Sequence, residues 1–369
     1  MILHLMLAVG LAHAAPAPKW SIETVDRSSN GNRQIAIKAT ADGQVHLAYT
    51  GCTDAPCKND ELRYTVRGLD GKWATSTVDN AKNATGWVPS MAFDANGTIH
   101  LVYANHYKYP RLQYAYKTQN SPWKTQTVGN VSGGYWTSLA VSGENIYVAN
   151  TVFPKNDVNQ SALQIATKVG DAWTFEVIDD SMSAGWFTQL VIGADGLPIV
   201  TSTATAYPNG DLKLMRKTAN GTWETTAIAD QTIKNSLALD SKGFIHIAFN
   251  RMDDKFMKTS DLMYATNAPD GAWTMQLIEG GEYSQQDTGG FPYLVLDSKD
   301  RPHVSYSDKF HRKLMYARNL GGKWEIYALT KNKDDCYYSR MDLDAKGGLH
   351  LACDTGDTIR YAYCKDCTK

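Results

Sequence analysis

Apolar and polar residues alternate over short runs bounded by Gly, Asn and Asp, as in LALDSKGFIHIAF, LVLDSKDRPHVSY and MDLDAKGGLHLAC. A period of two in segments this short, rich in β-branched and aromatic residues, predicts strands rather than helices. The pattern recurs. Each unit reads as a Trp-led strand, a connection, a strand ending near Asp, a tight turn, a strand carrying His and Tyr, a loop, and a strand of the form Leu-x-Tyr-Ala. Trp20, Trp73, Trp123, Trp173, Trp223, Trp273 and Trp324 lie 53, 50, 50, 50, 50 and 51 residues apart. Seven units of about fifty residues, four strands each, predict an all-β, seven-bladed β-propeller of four-stranded antiparallel blades. Turn residues agree, since Ala41-Asp42-Gly43 and Ala95-Asn96-Gly97 carry the types that tolerate positive φ in hairpins.

The chain begins with a Trp20 to Val25 strand and ends soon after Ile359 to Ala362, so the last unit lacks an outer strand. The N-terminal strand completes it. Joining both termini in one sheet closes the ring and removes two exposed edges.

Residues 2 to 12 form an apolar run followed by Ala12-His13-Ala14, a small-x-small cleavage pattern. This predicts a signal peptide over 1–14, a single propeller domain over 15–369, and export to the periplasm or the exterior. In that setting six cysteines predict disulfides, paired Cys52 with Cys57, Cys336 with Cys353 and Cys364 with Cys367. Cys364-x-x-Cys367 has no second Cys or His pair at zinc spacing, so no metal or other cofactor is predicted. Asn83, Asn96, Asn130, Asn159 and Asn220 stand in glycosylation triplets. A net charge of -1 offers no field for nucleic acid, and no stretch is long enough to span a membrane. A monomer is expected.

Antiparallel blades place the connection into each first strand and the loop between second and third strands on one face. Those loops are the long ones, Thr50 to Asp60, Ala104 to Pro110, Thr151 to Ser161, Thr203 to Gly210 and Arg251 to Ser260. Varied loops on a rigid scaffold carry recognition, so the site is expected there, around the central channel.

Three tryptophans fall outside the regular series. Trp87, Trp136 and Trp186 are assigned to one repeat phase, before the first strands of consecutive blades, with Phe291 and Tyr337 at similar positions later and Arg33 and Asn235 or Ser236 breaking the pattern. They predict an aromatic arc that stacks against sugar C–H faces, the alternative being a wedge between blades. Tyr103, Asn105, Arg251 and Asp308 complete the expected ligand contacts. Histidines 46, 100, 246, 303 and 350 share a repeat slot that also admits Tyr147 and Ile199, so they are read as structural. His106 and His311 do not share it. With Tyr107, Arg111 and Arg312 they are the candidate catalytic set for a lyase, in which a cation neutralises a uronate carboxylate while His or Tyr moves the proton.

The repeated D-x-x-G-x-x-H, L-x-Y-A and G-x-W elements resemble secreted bacterial propellers of the broadly sialidase-like, BNR-repeat group, over the whole mature chain. Asp70-Gly71-Lys72-Trp73 and Asp270-Gly271-Ala272-Trp273 are shorter than sialidase Asp boxes, and no arginine triad maps onto this sequence. The resemblance therefore implies a lectin-like propeller binding a glycan or polysaccharide, or a polysaccharide lyase. A scaffold for a cell-surface protein is the third reading.

Overall fold

The structure is a computed structural model, and it describes residues 17–27, 35–52, 60–81, 85–105, 110–157, 160–204, 210–252, 260–280, 289–308, 311–331, 336 and 338–369. Among the described residues twenty-eight strands, numbered β1 to β28 in chain order, form seven four-stranded antiparallel sheets. This is the seven-bladed propeller. The strands nearest the axis are β2 (Ile35–Ala39), β6 (Thr85–Phe93), β10 (Gly133–Ser142), β14 (Trp186–Ile192), β18 (Thr232–Leu239), β22 (Gly290–Leu296) and β26 (Tyr338–Leu343). They open blades 1 to 7, and each leads outward in sequence order, through three further strands in blades 1 to 6 and through two in blade 7.

In blade 7 the outermost place is taken by β1 (Ser21–Asp26), paired with β28 (Ile359–Cys364). Its side chains also grip blade 1. Asp26 accepts from Tyr49 Oη at 2.6 Å and Arg63 Nη1 at 2.8 Å, while Glu23 accepts from Trp73 Nε1 and Arg67 Nε, both at 2.9 Å. The closing strand is thus a shared part of two blades.

Apolar burial is concentrated between blades. Seven clusters among the described residues each combine side chains from two neighbours, such as Leu62, Tyr64, Met91 and Leu101 between blades 1 and 2. The regularly spaced indoles belong to these seams. Trp73, Trp123, Trp173, Trp324 and Trp20 meet Tyr361, Tyr64, Tyr114, Tyr264 and Tyr316 of the preceding blade edge-on, with centroids 5.2–5.4 Å apart. Such pairs contribute about 0.5–1.5 kcal/mol beyond area burial. Each of these tyrosines in turn hydrogen-bonds Nδ1 of the repeat histidine of its own blade, His350, His46, His100, His246 and His303 respectively. The histidines are therefore scaffold, as expected.

Blades 3 and 4 lack the pair. Where histidine gives way to Tyr147 and Ile199, the tyrosine slot holds Ile165 and Leu214. Losing one partner alone leaves a buried polar group unsatisfied, whereas replacing both by apolar residues does not.

Cys336–Cys353 and Cys364–Cys367 are disulfides, buried in the seam between blades 6 and 7. Arg318 Nη1 donates to Cys367 O at 2.9 Å, fastening the chain end. Cys52 is also disulfide-bonded; Cys57 lies outside the described residues, as does the leader.

Candidate binding site at the channel mouth

Where each blade begins, three consecutive residues set up the site. The first is a glycine in blades 2, 3, 4 and 6, at Gly86, Gly134, Gly185 and Gly289, with φ of 79–97°. A Cβ there would come within 2.7–2.9 Å of the third strand of the preceding blade, so only glycine fits. The second residue, Trp87, Tyr135 or Trp186, pairs with the second strand at Ala104, Thr151 or Thr203. The third, Val88, Trp136, Phe187 or Phe291, is an extra residue in a bulge with φ of 47–51°.

Bulky or β-branched side chains rarely adopt such φ, which costs about 1–3 kcal/mol apiece. Neighbours hold the bulges in place. Thr137 Oγ1 donates to Val88 O, Thr188 Oγ1 to Trp136 O, and Asn235 Nδ2 to Phe187 O, each from the next blade round.

The bulges aim rings at the axis. Trp136 and Phe187 have centroids 3.9 Å apart, Phe187 and Phe291 6.1 Å, and Phe291 and Tyr338 4.1 Å. Phe187 and Phe291 come from blades 4 and 6, and residues of non-adjacent blades meet only near the centre. Lys234 of the intervening blade sets its ammonium 4.0 Å from the Phe291 centroid, a cation–π contact. Below the rings, Arg340 stacks over Tyr293 at 4.7 Å. Burial pulls its guanidinium below the usual value, with Tyr293 and Tyr338 opposing.

Trp136, Phe187, Lys234, Asn235, Phe291 and Arg340 help line a small recess of about 20 Å³, which leads to a channel cavity of about 370 Å³. Farther in, the channel carries Lys38 and Asp342, 3.8 Å apart, an ion pair that raises the lysine pKa.

The three irregular tryptophans therefore divide. Trp136 sits one residue later in the repeat than Trp87 and Trp186, which corrects the single phase read from sequence; the corresponding blade 5 positions are Ile233 and Lys234, not Asn235 and Ser236. Trp87 Nε1 donates to Asp60 Oδ2 at 3.2 Å and Trp186 Nε1 to Ser161 Oγ at 3.1 Å, both on the preceding blade. Both rings are partly buried wedges at the rim; the Trp186 centroid lies 6.2 Å from that of Trp136, so it borders the central cluster that Trp136 joins. Tyr103 is a further correction, being fully buried with its hydroxyl donating to Asp79 at 2.7 Å, so it is closed to ligand.

Other expected contacts are engaged locally. Asn105 Oδ1 accepts from the Arg111 backbone N–H at 2.7 Å, and Arg251 pairs with Asp261 at 3.1 Å. His106, Tyr107 and Tyr337 lie outside the described residues. His311 is exposed, with Nδ1 2.6 Å from Oδ2 of the buried Asp308; Arg312 follows it, exposed, at φ 53°. Nearby, Tyr306 Oη donates to Glu279 at 2.5 Å, and burial, reinforced by Asp308, raises the Glu279 carboxyl.

No protein-family model matches the sequence, and no curated protein does. Among solved structures the chain is similar to the BP39L lectin of Burkholderia pseudomallei, with TM-score 0.68 and 10% identity over 90% of this chain and 96% of that one. An ulvan lyase, described as a new family of polysaccharide lyase, gives TM-score 0.60 and 12% identity over 92% and 94%. The Trypanosoma rangeli sialidase, in complex with sialic acid, gives 0.55 and 10% over 95% and 59%. The shared property is the fold.

Sequence reasoning missed Phe187, Lys234, Tyr338 and Arg340. The available signal was the doubled aromatic in Tyr135-Trp136 and Trp186-Phe187, whose second ring joins the cluster at the axis.

Proposed function

We propose that the protein is an exported carbohydrate-recognition propeller that binds a glycan at the channel mouth on the loop-rich face. The observation that carries this reading is the strained set Trp136, Phe187 and Phe291. Packing between blades is already supplied by the seams, and among the described residues β26 of blade 7 pairs from Tyr338 onward without a bulge. Four bulges held at positive φ, three of them converging aromatic rings, are the kind of stored strain that accompanies a working site. Flat faces of this kind stack on sugar C–H surfaces. The lectin-like neighbours lend support at the level of fold, and two buried disulfides support an oxidising, exported setting.

A glycan array with the folded protein tests the reading. Binding that is lost in Trp136→Ala and Phe187→Ala, with melting temperatures high enough to keep both variants folded, is expected. A blank array with native protein would remove it.

A second reading rests on the Asp308–His311 pair. A carboxylate accepting from Nδ1–H orients an exposed imidazole, and Arg312 follows it in sequence, residue types that suit proton abstraction by a polysaccharide lyase. Incubation with uronate polymers, following absorbance from a new C=C bond, decides it: a rise that His311→Ala abolishes supports the lyase, and a flat trace across polymers rejects it.

A further inference from the structure

The recess among the mouth rings has a charge character that the rings alone do not explain. Its described lining contains two cations, Lys234 and Arg340, and no carboxylate. Among the described lining residues both charges are positive, in a chain of net charge -1. The nearest acid of the channel lining in sequence, Asp342, lies deeper, 3.8 Å from Lys38 and accepting the Ala39 backbone N–H at 2.8 Å. Both recess cations are set by aromatic faces, Lys234 on Phe291 and Arg340 on Tyr293, so their heads are positioned. About 20 Å³ admits one small group of roughly water size, which fits a carboxylate oxygen and excludes a whole sugar ring.

We infer that the mouth selects an acidic glycan, seating an anionic oxygen of a carboxylate or sulfate between Lys234 and Arg340 while the sugar ring lies on Trp136, Phe187 and Phe291. This rests on the glycan-binding reading and adds the ligand class to it. The guanidinium, whose Nη1 also donates to Ser339 O at 3.2 Å, presents a planar fork of donors that matches an oxyanion, and the ammonium adds a point charge from blade 5. Charge-assisted hydrogen bonds of this kind correspond to about a ten- to hundredfold gain over a neutral analogue.

Isothermal titration with three probes tests it: an oligogalacturonate, the same oligosaccharide with its carboxyls reduced to alcohols, and a sulfated neutral oligosaccharide. The wild-type protein is expected to prefer at least one acidic probe to the reduced one by about tenfold or more, with the preference shrinking as salt rises. Whichever acidic probe wins identifies the group. Lys234→Gln and Arg340→Gln should each erase most of that preference, read as the ratio of acidic-probe to reduced-probe affinity, and Arg340→Lys should restore part of it. Equal affinity for acidic and reduced probes, or a preference that survives both Gln variants, overturns the inference and leaves glycan binding standing. Binding of none of the three, nor of any sugar on the array, overturns both.

Discussion

Five buried histidines make the stability of this propeller sensitive to mild acid. His46, His100, His246, His303 and His350 are at most 6% exposed, and burial lowers the pKa of each. For His46 the value falls from 6.5 to about 4. A histidine whose folded pKa lies below its unfolded one favours the neutral ring in the fold, so the unfolded chain takes up more protons between those two values. Stability then rises with pH from about 4 to about 6.5, and is lost as pH falls through that window. For His46 alone the drop corresponds to roughly 3 kcal/mol. Carboxylates held low, such as Asp94, Asp297 and Asp344, lose their contribution as pH falls below about 4, beneath the histidine window.

The blade 4 solution supplies the perturbation. His46→Ile with Tyr64→Leu copies Ile199 and Leu214, removing a titrating ring and its hydroxyl partner together. Calorimetric melts of wild type and double variant at pH 7.5, 6.5, 5.5 and 4.5 separate the effects. Lost ring packing against Trp123 is independent of pH and cancels from the slope, so the double variant should lose about 2 kcal/mol less than wild type between pH 6.5 and 4.5. Tyr64→Phe alone, which strands His46 Nδ1, should cost about 1–3 kcal/mol at pH 7.5. An unchanged acid slope in the double variant would refute the buried neutral histidine.

Three other outcomes are expected. Asp26→Ala removes the carboxylate shared by Tyr49 and Arg63 and should destabilise the closed ring by roughly 2–3 kcal/mol, read as a lower melting temperature that the exposed control Asp171→Ala does not show. Gly185→Ala drives a Cβ to 2.7 Å from Ala162 O at φ 89°, so it should cost about 1–3 kcal/mol and, by displacing Phe187, weaken ligand binding as well; unchanged binding would uncouple the glycine from the mouth. Replacing Cys336 and Cys353 by Ala opens a link of sequence separation 17 and should cost about 3 kcal/mol in denaturant titration, whereas no change would show that the seam is held by packing alone.

Much of the scaffold was legible in the sequence because repetition is a physical signal. Tryptophans at a fixed interval mark the seams, and the joint loss of His and Tyr in two blades marks them as partners. Ring closure could be read from the one strand missing at the end. The mouth was legible only as an excess of aromatic residues. A bulge inserts one residue without changing composition, so the shift that turns Trp136 inward and leaves Trp186 in a seam cannot be counted from spacing. Lys234 and Arg340 look like ordinary polar positions on strands; only the ring closure, which brings blades 5 and 7 to one recess, sets them together. Tyr103 was misplaced because strand alternation does not show that a tyrosine near a strand end points into the seam toward Asp79.

The most direct test of the account is a crystal structure of the protein with an acidic oligosaccharide. The account predicts a single ligand per chain, its ring against Trp136, Phe187 and Phe291 and its anionic group between Lys234 and Arg340. Ligand repeated at the seams between blades, or bound on the face of the tight first-to-second-strand turns, would contradict it.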